Sequence, residues 1–538
     1  MPLRNRHGWP LAGLLLTLAG VGAAQTNSGS AVCAPCHRAI YESYRATPMA
    51  RSARKLDPGA APERFERASF THAGSGFRYR VSGYTLEFDN PSTALTGTKR
   101  LAYAVGSGVR AFSYLIADDG FLFEAPVAYY TATKAWGLAP GYDGYSYPFL
   151  TRPIVPGCLS CHASGLQLQA STLNRYETPP FLEGGVSCER CHGGGELHVK
   201  MPSGGIVNPA KLAPENRDSV CAQCHLTGDV RVMRRGSDWR TFQPGARLSD
   251  SQTVFVRAAK SNGMAVTGHV ENLALSACKR VSGDRLWCGT CHDPHRVPAP
   301  AEAPAWFRAR CLTCHAEKAC SAAKQARAQA KDNCIGCHMP KAPATDAQHV
   351  VFTDHSIPRR PRRPTAGRAA SDAELVTFDG KPAAARDVAL SYAIAALGQP
   401  ASARTRARSL LEQAAKAQPD DREVLVSLGE IYRIDGQGER AQPLYERVLA
   451  IDPGDLTALV GLGGVLMERG QYAPAIRLWT AALAKNSGLE LVRLNLSLAQ
   501  WKVGDRTGAE GNLRKALELN PAFAPARESL KTMGAPRQ

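Results

Sequence analysis

The chain keeps almost no cysteine in reserve. It holds 16 in 538 residues, and all but Cys278 and Cys320 fall into one short pattern, which excludes a diffuse disulfide framework. Long hydrophobic runs are missing as well. Beyond residues 11–21, nothing approaches the roughly eighteen consecutive apolar residues of a membrane-crossing helix. That single run follows Arg4 and Arg6 and precedes Gly22-Ala23-Ala24, so residues 1–24 read as a cleaved export signal before Gln25. The expected location is periplasmic or otherwise extracytoplasmic, with membrane association at most peripheral. A phosphate-binding fingerprint is also lacking: Gly106-Ser107-Gly108 is a fragment without its flanking residues and reads as a turn.

What is present is C-x-x-C-H, struck seven times. The copies are Cys33/Cys36/His37, Cys158/Cys161/His162, Cys188/Cys191/His192, Cys221/Cys224/His225, Cys288/Cys291/His292, Cys311/Cys314/His315 and Cys334/Cys337/His338. Chance at this composition would supply roughly 0.01 of them. Two thiols at i and i+3 on one turn can form thioethers to the two vinyl groups of haem, and the next imidazole then meets the iron. Zinc also uses C-x-x-C knuckles, but it does not require a histidine in the fifth place every time. The expected cofactor is therefore haem c, seven groups, covalently bound.

The formal charge of +18 invites a nucleic-acid reading. Haem weakens it. Losing Arg4 and Arg6 leaves about +16, and seven haems at about −1 each when ferric or about −2 when ferrous bring the protein to about +9 or about +2. Propionates, not nucleic acid, are the expected partners of the basic surplus.

In chain order, residues 25–64 form a first haem segment, with a helix expected over 39–54. Residues 65–155 read as a β-rich antiparallel insertion, with hairpins 77–81/84–88 around Ser82-Gly83 and 111–117/121–125 around Asp118-Asp119-Gly120. Residues 156–365 form the cytochrome core of short helices and loops, interrupted by a β-like stretch around 253–258. The Pro-broken basic run at 358–364 opens a linker continued through 366–385. Cys278 and Cys320 bracket two motifs and are expected to pair. From 386 to 538 a period of 34 appears. Ala407, Ala441, Ala475 and Ala509 are in phase, as are Ala414, Val448, Ala482 and Ala516, and Gly436, Gly470 and Gly504. This resembles the tetratricopeptide repeat, and predicts four repeats over 388–521 and a capping helix after Pro521. The fold class is thus mixed: a multihaem cytochrome core with a small β insertion, then an all-α solenoid.

Iron that only carries electrons usually takes a second axial ligand. Seven histidines are proximal and His7 leaves with the signal, so the distal candidates are His72, His198, His269, His295, His349 and His355, with Met49 as the seventh. His198 and His295 lie so close to their own motifs that each should serve another haem. Cys288 to His295 reads C-x-x-C-H-D-P-H, Gly268 to Leu273 reads G-H-x-E-x-L, Cys334 to Pro340 reads C-x-x-C-H-M-P, and Thr353 to Ile357 reads T-D-H-x-I. These resemble the multihaem cytochromes related to the tetrahaem electron carrier and the hydroxylamine oxidoreductases, in the branch with C-terminal tetratricopeptide repeats. The resemblance implies bis-histidine haems in closely packed pairs. Thr47-Pro48-Met49 stands where that family commonly has Ser-x-His, which makes His/Met ligation with a raised potential possible at one haem; otherwise Met49 is a core or surface thioether and that iron takes another group or stays open.

Two functions follow. The first is an electron conduit between redox partner proteins, with the repeats docking a protein partner. The second is a multihaem oxidoreductase acting on a small nitrogen or sulfur compound at one five-coordinate haem. The C-x-x-C-K variant of pentahaem nitrite reductases is absent. A third role, a scaffold in which haems only staple the chain, is disfavoured by the number of cofactors.

Overall fold

Alternating apolar residues build a meander of short strands in the first third of the chain. The computed structural model describes residues 29–57, 68–74, 76–91, 95–142, 152–170, 172–258, 268–315, 320–344, 351–360, 373–396, 399, 401–520 and 523–534. Strands β1 (Ala53–Lys55), β2 (Ala68–Thr71), β3 (Arg78–Ser82), β4 (Thr85–Asn90), β5 (Leu95–Val105), β6 (Ala111–Asp118), β7 (Phe121–Tyr130) and β8 (Ala135–Leu138) form one antiparallel sheet. Its order is β2-β3-β4-β5-β6-β7-β8, with β1 added to the C-terminal half of β5. Tyr79, Leu86, Leu101, Tyr114 and Phe123 make one core, and Phe70 of β2 and Trp136 of β8 both pack on it, so the sheet curls around that core. The opposite face of β5–β7 offers Tyr103, Leu115 and Leu122 to Leu159, Tyr176 and Phe181. Strand β7 is therefore buried on both sides, and the sheet is fixed against the second C-x-x-C-H motif.

The β6–β7 turn is Asp119-Gly120, with φ of 50° and 78° and Asp118 opposite Phe121. This is the mirror-image turn that Asp-Gly favours. The β3–β4 turn is displaced by one residue from Ser82-Gly83. Gly83 and Tyr84 take φ of 53° and 68°, and Ser82 pairs with Thr85. Tyr84 tolerates that backbone because its ring is buried and its hydroxyl donates to the Asp57 carbonyl at 2.5 Å. The first helix is Ala34–Arg45, shorter than the 39–54 expected. Pro48 disfavours helix at Thr47, and the chain passes through a single 3-10 turn, Met49–Arg51, into β1.

Beyond the sheet, helices are short. Pro156–Leu159, Glu189–His192, Pro214–His225, Cys288–Cys291, Ala303–Leu312 and Cys334–His338 each carry or end in motif residues. The β-like stretch is a strand, Gln252–Arg257. It lies between Val230–Met233 and Leu375–Thr377. The last of these falls inside 366–385, expected as linker; residues 361–372, with most of the Pro-Arg run, lie outside the described residues.

Four helix pairs follow: Ala385–Ala396 with Ala401–Ala417, Arg422–Ile434 with Gly438–Ile451, Leu456–Glu468 with Tyr472–Lys485, and Glu490–Lys502 with Arg506–Leu519. A final helix, Ala524–Gly534, caps them. The in-phase alanines 407, 441, 475 and 509 are fully buried, as expected of residues where helices cross. Gly429 and Gly461 lie against the Tyr445 ring, where a side chain would collide. The first pair does not hang free. Val230, Val232, Phe255 and Leu375 share one core with Leu390, Leu411 and Leu425. Buried Asp387 accepts from Thr253 at 2.7 Å and Arg234 at 3.2 Å, and Arg386 reaches Met233 O at 2.9 Å and Asp421 at 2.6 Å. Among the described residues, no helix is long and apolar enough to cross a membrane.

Candidate cofactor site

Each motif places its two cysteines one helical turn apart, so both thiols leave the backbone on the same side. All fourteen motif cysteines and all seven adjoining histidines line one cavity of about 3280 Å³. A pocket for a single drug-sized ligand holds roughly 300–1,000 Å³. Val32, Ile40, Val199, Ile206, Val281 and Val297 are large hydrophobics exposed to solvent, and all six face this cavity. Between Phe255 and Ala342 no described residue is a buried hydrophobic. The helices there pack around space that protein does not fill, as a chain built around large apolar groups would.

The histidines fit the same group. Two imidazoles that ligate one metal from opposite sides, at about 2 Å each, put their centroids roughly 6 to 6.5 Å apart. His37 and His198 lie 6.2 Å apart with ring planes 13° apart, His192 and His295 5.9 Å and 13°, and His292 and His355 6.2 Å and 31°. His269 stands edge-on and closer than that spacing, 5.2 Å from His225 and 4.9 Å from His355 with ring planes 89° and 76° apart. As expected, His198 and His295 each approach a motif other than their own. Several rings are held at Nδ1 by backbone carbonyls: His192 by Val207 at 2.7 Å, His198 by Gly204 at 3.0 Å, His338 by Pro358 at 3.0 Å and His355 by Thr353 at 2.9 Å. That bond fixes the tautomer and leaves Nε2 for a metal. Burial, reinforced by His355 and His225, pushes His292 down to about 4, so it stays neutral, the form that ligates.

The first motif adjoins the third and the second the fourth, while the fourth and fifth and the sixth and seventh adjoin in sequence order. Cys33 sits beside Cys188, Cys161 beside Cys224, Cys221 beside Cys288, and Cys311 beside Cys334. Burial pushes the Cys33 thiol up to about 12 and Cys191 to about 11, whereas the neighbouring Cys224 lowers Cys161 to about 6. Among the described residues no group of three or more His, Cys, Asp or Glu converges on a free metal ion.

His72 is not in the cavity lining: it sits in the β2–β3 turn. His349 lies outside the described residues, as does the 1–24 signal. Cys278 and Cys320 are unbonded: both line the cavity, but Cys278 neighbours Cys291 and Cys311. Met49 does line the cavity, in the turn where Ser52 Oγ bonds both Met49 O and His162 O at 2.8 Å. Sequence reasoning passed over Glu124, a carboxylate within the otherwise apolar β7. It pairs with Arg152 at 2.7 Å in the cavity wall beside Cys158, and burial, partly offset by Arg152 and Ser113, pushes it up to about 7.

A family model described as cytochrome c554 and c-prime matches residues 150–193, the second and third motifs. Two tetratricopeptide-repeat models match 395–455 and 433–494. The C-terminal helix pairs are tetratricopeptide repeats. The cytochrome match supports haem c binding by a c-type cytochrome segment, and does not single out the hydroxylamine oxidoreductase branch. The repeats support a role in protein interaction. No curated protein matches the chain. Solved structures with local similarity include MamA from AMB-1, at 27% identity, covering 26% of this chain and 82% of that one with a TM-score of 0.23. Another is YrrB, a TPR protein with an unusual peptide-binding site, at 20% identity, 28% and 75% coverage and a TM-score of 0.25.

Proposed function

We propose that this chain is an extracytoplasmic heptahaem c-type cytochrome that passes electrons between redox partner proteins, with its tetratricopeptide repeats docking one of them. The single cavity lined by all seven motifs carries this reading. The paired cysteines would tether each group, and His37, His162, His192, His225, His292, His315 and His338, each next to its own pair, would ligate the iron. His198, His295, His269 and His355 would supply second ligands at the first, third, fourth and fifth motifs. Haem bound in this way supplies reversible one-electron transfer. The chain's part is to hold neutral imidazoles at fixed tautomers, to exclude water with the apolar cavity wall, and to keep neighbouring motifs in contact. Intact-mass measurement of the exported protein should show seven haem additions; fewer would remove the count.

The second reading, an oxidoreductase of a small nitrogen or sulfur compound, rests on the motif at 158–162. The turn packed on it offers Met49 and not an imidazole, and the Arg152–Glu124 pair lies in the adjoining wall. A high-spin ferric signal that shifts with nitrite, hydroxylamine or sulfite would favour it. Under the conduit reading, Met49→His lowers one midpoint potential, and an unchanged set of potentials would refute the Met49 ligand. Cross-linking of the intact protein to a redox partner should map to 401–534; cross-links confined to 29–360 would remove the docking role.

A further inference from the structure

Residues 269–275 form a helix of seven residues that carries His269; none of its residues is fully buried, and Val270 packs against the cluster of Ala222, Leu226 and Val254. Apolar packing of this kind is not directional; one polar side chain adds a directional tie to the element that bears His225. Glu271 Oε1 accepts hydrogen bonds from two consecutive backbone amides, Thr227 N at 2.7 Å and Gly228 N at 2.5 Å. Those amides begin two residues after His225, at the end of helix Pro214–His225. One carboxylate oxygen therefore bridges the element bearing one imidazole to the element bearing the other.

The acceptor site is rigid on the far side. Gly228 takes a φ of +64° and lies against Val254 and Phe255, so a side chain there would collide. Asp229 N donates to Phe255 O at 2.8 Å, and Arg257 N donates to Asp229 Oδ2 at 2.8 Å. The loop is thus part of the sheet formed by Val230–Met233 and Gln252–Arg257, which shares its core with the first repeat. Glu271 is mostly buried, and its second oxygen has no hydrogen-bond partner. A buried carboxylate left half satisfied costs stability, and its two amide bonds offset part of that cost while fixing the helix against the loop.

We propose that Glu271 is a positioning residue that holds His269 at axial distance from the iron of the His225 motif by clamping the His269 helix to the Thr227–Gly228 amides. This rests on His225 and His269 being an axial pair, as proposed above. Loss of the clamp lets the helix withdraw and leaves that one haem weakly or singly ligated, while the others keep their ligands.

The test uses the exported holoprotein and its Glu271→Gln, Glu271→Ala, Glu271→Asp and His269→Ala variants, each read by low-temperature electron paramagnetic resonance and spectroelectrochemical titration. Gln keeps an acceptor oxygen at the same reach and should preserve the wild-type spectrum. Ala removes the acceptor and Asp draws it back by one methylene, so both should convert one low-spin ferric signal to high spin and shift one potential. If Glu271→Ala yields no holoprotein, Glu271→Asp decides. Wild-type signals in Glu271→Ala or Glu271→Asp, or equal damage in Glu271→Gln, would overturn the proposal. Should His269→Ala leave every haem signal intact, the axial pair itself fails; should it remove one low-spin signal while Glu271→Asp does not, only the clamp fails.

Discussion

Residues 401–519 bury Leu411, Tyr445, Trp479 and Leu513 among their own helices, whereas residues 268–341, with helices of ordinary geometry, bury no hydrophobic side chain among those described. The first stretch meets the entropy cost of folding with side chains alone. In the second, apolar residues such as Val281 and Val297 point into the cavity and wait for something to cover them. Helical secondary structure therefore says little about where stabilisation comes from; the direction of the apolar face does.

The comparison is broken most severely by withholding haem. Protein produced without attachment, or carrying Cys288→Ser with Cys291→Ser, should lose amide-exchange protection across 268–341 while 401–519 stays protected. Retained protection in both would mean that the middle region has a core of its own. Next in size, Trp479→Ala removes the largest fully buried side chain of the repeats and should cost about 3–5 kcal/mol. Far-UV denaturation should register this with the Soret band unchanged at the same denaturant concentration. A parallel loss of both signals would mean that the two regions unfold as one.

Asp387→Ala acts at the seam. It strips the buried partner of Thr253 and Arg234 and should cost about 2 kcal/mol, separating the repeat transition from that of the sheet in calorimetry. A single sharp transition at the wild-type temperature would show the seam to be carried by its hydrophobic core alone. The smallest effect concerns pH. Glu124, with a usual value of 4.5, is raised to about 7 by burial, so its contribution to stability is present below pH 4.5 and is lost as pH rises through 7. Glu124→Gln should flatten that slope in thermal melts between pH 5 and 8; an unchanged slope assigns it to another group.

The chain's local repetitions were legible in its sequence. A thiol pair at i and i+3 followed by histidine is complete within one helical turn, and the 34-residue period names its crossing alanines, all of which prove buried. The Asp119-Gly120 turn was equally local. Tertiary structure alone decided the rest, because those contacts join residues far apart in sequence whose partners no spacing reveals. His295 faces His192, Cys278 lies near Cys291 and Cys311, and His72 sits in a hairpin turn outside the cavity lining. Strand Leu375–Thr377, only three residues long, exists because Gln252–Arg257 offers it an edge. Covalent anchors and helical periods are properties of neighbouring residues; which imidazole meets which motif depends on how the sheet, the cavity and the first repeat pack together.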